Sequence, residues 1–135
     1  MVALLADDPL GAKRERPGDP AYDKAFAAID ADPNNELWVI EGADTRIKGV
    51  LQLTFIPGIT HTAGTRAMIE GVRVADELTG KGVGRWFFRQ MIERAREKGA
   101  RLVQLTSDKS RKDAIRFYEN LGFTASHEGF KMKFD

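Results

Sequence analysis

The chain has 135 residues, 42% hydrophobic and 30% charged, and this composition predicts one soluble globular domain over 1–135. Its net charge of +1 argues against a nucleic-acid partner, and its lack of cysteine excludes a disulfide scaffold, a thiolate nucleophile and a cysteine zinc site. No apolar run reaches the roughly 18 residues of a membrane span, and the two histidines lie far apart, so we expect no membrane partner, no metal and a cytoplasmic location.

The first part of the chain predicts helices. VALLADD is helical in type, and a polar loop rich in proline and glycine follows it. PAYDKAFAAIDA predicts a second helix, because Pro20 suits its first position and Tyr22, Phe26 and Ile29 recur at helical spacing. Pro33 ends that helix.

Three strands are predicted next. A hairpin over Leu37–Glu41 and Ile47–Phe55 encloses a turn at Gly42–Asp44. The loop PGITHTAGT then leads to the strand RAMIEGVRV, which ends at Val74.

The remaining elements alternate between helix and strand. A glycine-rich loop opens a helix that ends at Gly99, and RLVQLTS is a strand. DAIRFYENLG predicts a second helix with Gly122 just past its end, and FTAS and FKMKF predict two final strands. This order predicts a mixed α/β domain without repeats.

The glycine-rich loop carries Gly80, Gly82 and Gly84, with Lys81 and Arg85 among them. Free amides and the helix dipole favour an anion at such a helix N-terminus, and glycine lets a phosphate approach the backbone. The loop lacks the Ser or Thr of a Walker A motif, and its G-x-G-x-G spacing differs from the dinucleotide fingerprint. A connection that binds no ligand remains the alternative.

The local charge favours a ligand that bears phosphate. Between Lys81 and Arg116 there are eleven Lys or Arg and four Asp or Glu, an excess of seven positive charges in a chain of net charge +1. Lys109, Arg111 and Lys112 precede the second of these helices, where they could meet another phosphate group.

Two motifs resemble those of the GNAT superfamily of acetyl-CoA-dependent N-acetyltransferases. VRVADELTGKGVGRWFF is similar to the family's acetyl-CoA loop, in which a Val-x-Val strand end precedes Arg/Gln-x-x-Gly-x-Gly/Ala. DAIRFYENLGF is similar to its second motif, Ala-x-x-x-Tyr-x-x-x-Gly-Phe. The resemblance covers most of the chain from Glu36 onward and implies a mixed, mostly antiparallel central sheet flanked by helices.

The same resemblance implies that acetyl-CoA is the co-substrate and that amides from Thr79 to Arg85 hold its pyrophosphate. In the family, the strand ending at Val74 splays from RLVQLTS, and the pantetheine arm pairs with main-chain groups in the gap. The residues implied in cofactor binding are Val72, Val74, Thr79, Gly80, Lys81, Gly82, Val83, Gly84, Arg85, Ser110 and Arg111.

Three features depart from the family pattern. Thr79 stands where Arg or Gln is usual, and Arg111 stands where many members have Asn, so we expect Ser110 or Arg111 to make altered contacts. Family members open with a strand before the first helix, whereas this chain begins inside that helix. We therefore expect the first strand to be missing and its neighbour to expose an edge, which predicts lower stability or pairing into a homodimer.

The resemblance also assigns two catalytic residues. Glu70, on the strand before the glycine loop, matches the position of a general base that acts directly or through water. Tyr118 matches the general acid toward the CoA sulfur, and a phenol suits a thiolate leaving group. The structural alternatives are a surface carboxylate and a core aromatic. We expect His61 to be an exposed loop residue.

Three functions follow, in different classes. The first is an N-acetyltransferase acting on a small primary amine or a peptide N-terminus by direct attack in a ternary complex. The second is a catalytically idle acetyl-CoA-binding module with a regulatory or interaction role. The third is an unrelated domain for a phosphate ligand. Glu70 and Tyr118 together favour the first.

Overall fold

The computed structural model describes residues 1–134, so the last residue of the predicted domain lies outside it. Short 3₁₀ turns occur at Gly11–Lys13 and Asp76–Leu78. The helices and strands, in chain order, are α1 (Val2–Ala6), α2 (Ala21–Ala31), β1 (Asn35–Glu41), β2 (Ile47–Ile56), α3 (Thr60–Ala63), β3 (Arg66–Val74), α4 (Val83–Glu97), β4 (Leu102–Gln104) and α5 (Lys112–Asn120).

Within residues 1–134, the strands form a four-stranded sheet in the order β1-β2-β3-β4. β2 pairs antiparallel with both β1 and β3, whereas β3 and β4 are parallel. The predicted mostly antiparallel sheet flanked by helices is therefore confirmed. β1 and β4 form its two edges.

The described chain forms two compact units. The first, Met1–Gln104, contains the sheet and the helices α1 to α4, and the second begins at Leu105 and contains α5. The first unit has an apolar core between the sheet and α4, which stabilises it by removing apolar surface from water. The buried hydrophobic residues are Val50, Leu51, Leu53, Phe55, Ala67, Ile69, Ala75, Phe87, Phe88, Met91 and Ala95.

Helix α4 lies where the sequence predicts it, directly after the glycine-rich loop. Its buried side chains recur at helical spacing and face the core. Lys98 caps its C-terminus, and Gly99 follows at a φ of +83°, a left-handed conformation that glycine adopts readily.

An ion pair joins the edge strand β1 to α4. The Glu36 carboxylate accepts hydrogen bonds from Nε and Nη2 of Arg94 at 3.1 and 2.7 Å. The Trp38 indole donates to the same carboxylate at 2.9 Å. The Arg94 hydrogen bonds lower the pKa of Glu36 below its ordinary value, against the opposing effect of burial. The pair therefore holds an exposed edge of the sheet against the helix.

One predicted strand is shorter than expected, and two others are not found in the described residues. The predicted strand RLVQLTS shortens to Leu102–Gln104, because β3 pairs with it only from Arg66 to Met68. No strand is assigned in the described residues from 123 to 134, where FTAS and FKMKF predicted two. Alternating apolar residues specify the faces of a strand, but a strand also needs a partner edge for its backbone hydrogen bonds.

Smaller differences concern loops and helix ends. Pro20 is the N-cap of α2 and not its first residue, and the Asp19 carboxylate accepts the Ala21 N–H at 2.9 Å. The predicted loop PGITHTAGT contains the short turn α3, in which exposed His61 and Thr62 have left-handed dihedrals. None of the helices in the described chain is long and apolar enough to cross a membrane.

Candidate active site

The loop between β3 and α4 adopts the backbone conformation that its glycines allow. Gly80 and Gly82 have φ values of +78° and +75°, and Gly82 is the N-cap of α4. A Cβ atom at either position would meet no other protein atom within 4 Å. Glycine is therefore favoured at both positions because of the positive φ. The lack of a side chain also leaves the space in front of the helix open.

The amides at this helix N-terminus form a set of available donors. Trp86 is the first residue of α4 whose N–H has a backbone acceptor, and it donates to the Gly82 carbonyl at 3.0 Å. Within residues 1–134, no hydrogen-bond acceptor is present for the N–H groups of Gly80, Gly82, Val83, Gly84 and Arg85. Such a row of oriented N–H groups, reinforced by the dipole of a 15-residue helix, favours an anion.

Two amides of the predicted cradle are already used within the loop. The Thr79 N–H donates to the Asp76 carbonyl at 3.0 Å, and the Lys81 N–H donates to the Leu78 carbonyl at 3.4 Å. Thr79 therefore retains its hydroxyl, and not its amide, for a ligand. The sequence does not show which amides of the loop already donate to a backbone carbonyl, because that depends on the turns that the loop forms.

A β-bulge lies at the position of the predicted base. Glu70 is opposite Gln52 and Arg73 is opposite Val50, so two residues of β3 face one residue of β2. Gly71, in the bulge, has a φ of +61°. Bulges re-aim side chains and bend the strand that carries them. Glu70 is exposed, and its carboxylate makes no ion pair or hydrogen bond with the described residues.

Beyond the bulge, β3 has an edge to which another strand could bind. The parallel pairing with β4 ends at Met68 and Gln104, and β3 continues to Val74. The stretch from Ile69 to Val74 thus has no strand beside it on that side, within the described residues. Val72 and Val74, both predicted to bind the pantetheine arm, lie in this stretch. The geometry suits an extended ligand paired through the backbone.

Arg73 was not among the predicted site residues, but the structure gives it a positioning role. Its guanidinium donates to the Val74 carbonyl at 2.6 Å, the Asp76 carboxylate at 3.0 Å and the Asp7 carbonyl at 3.2 Å. It therefore joins the end of β3 to the following turn and to the end of α1. One acceptor position of the Val74 carbonyl is consequently occupied. An Arg between two valines at a strand end was the available sequence signal.

A cavity of about 510 Å³ lies on the hairpin side of the loop. Its walls include Leu78, Val83 and the half-exposed Trp86, and Lys48 lies in its rim, bonded to Glu77 at 2.5 Å. Glu70, Val72 and the loop glycines do not line it. This cavity is therefore separate from the predicted donor-binding edge of β3.

The second unit carries Tyr118 on α5. The Tyr118 ring contacts Phe117 and Phe123 edge-on, with ring centroids 5.5 and 6.1 Å apart. Burial raises the pKa of its phenol above the ordinary value, and the charge of Arg111 opposes this in part. The phenol therefore stays protonated at neutral pH, as a proton donor requires. Gly122 follows α5 at a φ of +102°, as the helix-end prediction requires.

The polar residues before α5 are partly engaged with one another. The Ser110 hydroxyl and N–H both donate to the Asp108 carboxylate, at 2.6 and 2.9 Å, and they lower the pKa of Asp108. Lys109 pairs with Glu128 at 3.4 Å. Arg111 is the N-cap of α5 and makes no ion pair among the described residues. Ser110 and Arg111 were both predicted to contact the ligand. Arg111 is the better placed of the two, because its positive charge is not paired whereas Ser110 is bonded to Asp108.

Among residues 1–134, no group of three or more His, Cys, Asp or Glu side chains could hold a metal ion.

The family model for the acetyltransferase (GNAT) family matches residues 2–123. This chain belongs to that family. The match spans both motifs from which the family was predicted, and it confirms that prediction. The chain is therefore an acetyltransferase-family protein.

Solved structures share the fold of this chain. A crystal structure from Bacillus halodurans C-125, described as a transcriptional regulator, is 52% identical, with a TM-score of 0.93 over 99% of this chain and 91% of its own. Glucosamine-6-phosphate N-acetyltransferase from Arabidopsis thaliana shares the fold, at 21% identity and a TM-score of 0.81 over 100% of this chain and 89% of its own.

One relative of this chain is named as an acetyltransferase. Streptothricin acetyltransferase from Streptomyces lavendulae is 30% identical over 122 residues, which cover 83% of this chain and 62% of the relative. The chain thus spans less than two thirds of that protein's length.

Proposed function

We propose that this GNAT protein is an N-acetyltransferase that moves the acetyl group of acetyl-CoA to a primary amine, on a small molecule or a peptide N-terminus. The observation that carries the proposal is the set of unengaged amides at the N-terminus of α4, those of Gly80, Gly82, Val83, Gly84 and Arg85. It lies directly after a strand, β3, whose far edge has no described neighbour beyond Met68.

Donor binding follows from these two features. The amides of Gly82, Val83 and Gly84 would donate to the pyrophosphate, and Lys81 and Arg85 would add positive charge beside it. The pantetheine arm would pair with main-chain groups of Val72 and Val74. The Arg73 guanidinium would hold the end of β3 in place for that pairing.

The acyl transfer itself needs a neutral amine, a polarised carbonyl and a proton for the sulfur. Glu70 would accept a proton from the attacking amine, directly or through water, because no cation of the described chain neutralises its carboxylate. An N–H of Val72 or Val74 would donate to the carbonyl oxygen as negative charge develops there. As the carbon–nitrogen bond forms and the carbon–sulfur bond breaks, Tyr118 would donate its proton to the sulfur.

The acceptor is proposed only as a class. The names of two relatives specify streptothricin and glucosamine-6-phosphate, the second as the substrate of an N-acetyltransferase. A primary amine is a suitable acceptor because the unpaired Glu70 carboxylate could remove a proton from it. We propose that both units serve this one reaction, as a single domain over 1–135.

Two measurements test the proposal. Calorimetry should detect CoA at micromolar affinity, and weaker binding of dephospho-CoA would assign part of that affinity to the 3′-phosphate. Thiol release from acetyl-CoA, measured against a panel of primary amines, should then identify an acceptor. An absence of heat and of any thermal shift at millimolar CoA would contradict the proposal.

One observation favours a second candidate, the catalytically idle acetyl-CoA-binding module. The relative with 52% identity is described as a transcriptional regulator. Such a module would bind CoA but release no thiol with any amine. Thiol release by the parent therefore separates the two, and the Glu70→Gln variant then tests whether an observed turnover needs this carboxylate.

A further inference from the structure

The cavity between the β1–β2 hairpin and the glycine-rich loop, named here the hairpin cavity, is not used by the proposed acetyl transfer. It lies within the first unit, and its volume of about 510 Å³ is typical of small-molecule sites. Its apolar wall is built from the end of β1, the 3₁₀ turn before the loop and the first turn of α4, through Ile40, Leu78, Val83 and Trp86. Three separate parts of the chain therefore form one concave surface.

Trp86 is the exposed aromatic residue of this wall. It lies off the buried side of α4 and three residues after Val83, so these two side chains share a helix face. The side chain is 53% exposed, and its indole N–H has no acceptor among the described residues. Tryptophan is enriched where ligands and partners bind, because it offers a large rigid apolar area together with a polar group. Trp86 therefore offers an aromatic face to a ligand.

The rim of the hairpin cavity is acidic. Three carboxylates and one ammonium group line it, which gives three negative charges against one positive and a net charge of −2. The Lys48 ammonium is bonded to Glu77 at 2.5 Å and lies 3.5 Å from Asp44. The third carboxylate, Glu41, is exposed and has no hydrogen bond or ion pair with the described residues. An unpaired carboxylate near an aromatic ring is a combination that recognises an organic cation.

Hydrogen bonds hold the walls of the hairpin cavity in place. The Lys48–Glu77 bond joins β2 to the 3₁₀ turn, and the Ala75 N–H donates to the Lys48 carbonyl at 2.7 Å. In the hairpin turn, the Gly42 N–H donates to the Arg46 carbonyl at 2.8 Å. Because these walls are already ordered, a ligand that enters the cavity loses little of its binding free energy to reorganisation of the protein.

Two residues of the wall also belong to the loop that carries the unengaged amides. The Leu78 carbonyl accepts the Lys81 N–H at 3.4 Å, and Val83 contributes one of the unengaged N–H groups. A molecule that packs on both side chains favours this conformation of the loop, and its positive charge attracts an anion bound at the amides. Occupancy of the cavity should therefore strengthen anion binding, and thermodynamic linkage requires the reverse.

We propose that the hairpin cavity is an effector site for a small organic cation, an ammonium group attached to an apolar ring. The ring packs on Trp86 and Leu78, and the ammonium group binds Glu41. The bound cation strengthens the binding of CoA at the amides of α4. Binding of the cation is independent of the proposed function, whereas the coupling rests on it, because CoA is the anion that the coupling concerns.

The site is tested first, by nuclear magnetic resonance on the isotopically labelled full chain with phenethylammonium as the probe. The chain has two tryptophans, so it has two indole N–H resonances, and the Trp38→Phe variant assigns them. The Trp86 resonance should shift and the Trp38 resonance should not. Saturation should give a dissociation constant of about 1 mM or below, as expected for a ligand of so few atoms. An unmoved Trp86 resonance, or equal shifts of both resonances, would overturn the site.

A matched ligand and two matched variants test the recognition of charge. Phenylethanol has the same ring without the charge, and it should bind about fivefold more weakly than phenethylammonium. Glu41→Gln should remove most of this difference, whereas Asp23→Asn, an exposed carboxylate on α2 outside the cavity, should preserve it. Circular dichroism checks that both variants fold. Equal binding of the two ligands by the parent, or equal behaviour of the two variants, would overturn the recognition of a cation by Glu41.

Calorimetry with CoA tests the coupling. At constant ionic strength, saturating phenethylammonium should tighten CoA binding by about fivefold or more, and Trp86→Leu should abolish this gain. An unchanged affinity for CoA would overturn the effector role, and so would competition between CoA and the probe, because competition would place part of CoA in the cavity. If the parent binds no CoA, the proposed function and the coupling both fail, while the resonance titration still decides whether the hairpin cavity binds the cation.

Discussion

Gly82 gives the sharpest test of the anion site, because its conformation can be matched elsewhere in the same helix. Gly82 precedes α4 at a φ of +75°, and Gly99 follows α4 at +83°. A Cβ atom at either position meets no protein atom within 4 Å. Alanine at either end therefore introduces the same backbone strain, but only the change at Gly82 places a methyl group among the unengaged amides.

The magnitude follows from the dihedrals. A left-handed alanine costs about 1–2 kcal/mol, so both variants should melt several degrees below the parent and by similar amounts. Valine is a poorer choice, since a β-branched residue at positive φ adds further strain. Gly82→Asn relieves part of the strain, because asparagine tolerates this conformation, but its side chain still obstructs the amides.

Calorimetry with CoA supplies the comparison. Gly82→Ala and Gly82→Asn should each bind CoA at least about tenfold more weakly than the parent, a loss of about 1.4 kcal/mol. Gly99→Ala should bind as the parent does. If Gly82→Ala kept the parental affinity, or if Gly99→Ala lost as much, the loop would be a structural connection and the amides would not hold the pyrophosphate.

Three further predictions concern catalysis and stability. Glu70→Gln should lower turnover at neutral pH and recover partly at higher pH, where more of the amine is neutral, whereas Tyr118→Phe should not recover; parental pH–rate profiles for both would make these residues structural. Glu36→Gln should lower the free energy of unfolding, measured in urea at neutral pH, by about 1 kcal/mol. Because the folded pKa of Glu36 is lowered, that difference should vanish as the pH falls below about 4, and a difference that persisted in acid would contradict the charged Arg94 pair. Leu53→Ala, in a fully buried position, should cost about 2–5 kcal/mol, and a smaller loss would mean that the core repacks.

The sequence determined the local elements and the family. Helical spacing and a terminal glycine predicted α4 and α5, and alternation predicted β1, β2 and β3 to within two residues at each end. These signals are local, because hydrophobic periodicity and glycine dihedrals are properties of neighbouring residues. The two motifs were equally readable, since each places small or aromatic residues at fixed spacing along a short segment.

Tertiary structure decided what depends on pairing. The bulge after Glu70, the end of the β3–β4 ladder at Met68 and the guanidinium contacts of Arg73 each involve a residue distant in sequence. The segment FKMKF illustrates the limit of the sequence most directly. Its alternation predicted a strand, and the structure assigns none there, because the free energy of a strand comes from the edge that it joins and alternation alone does not provide that edge.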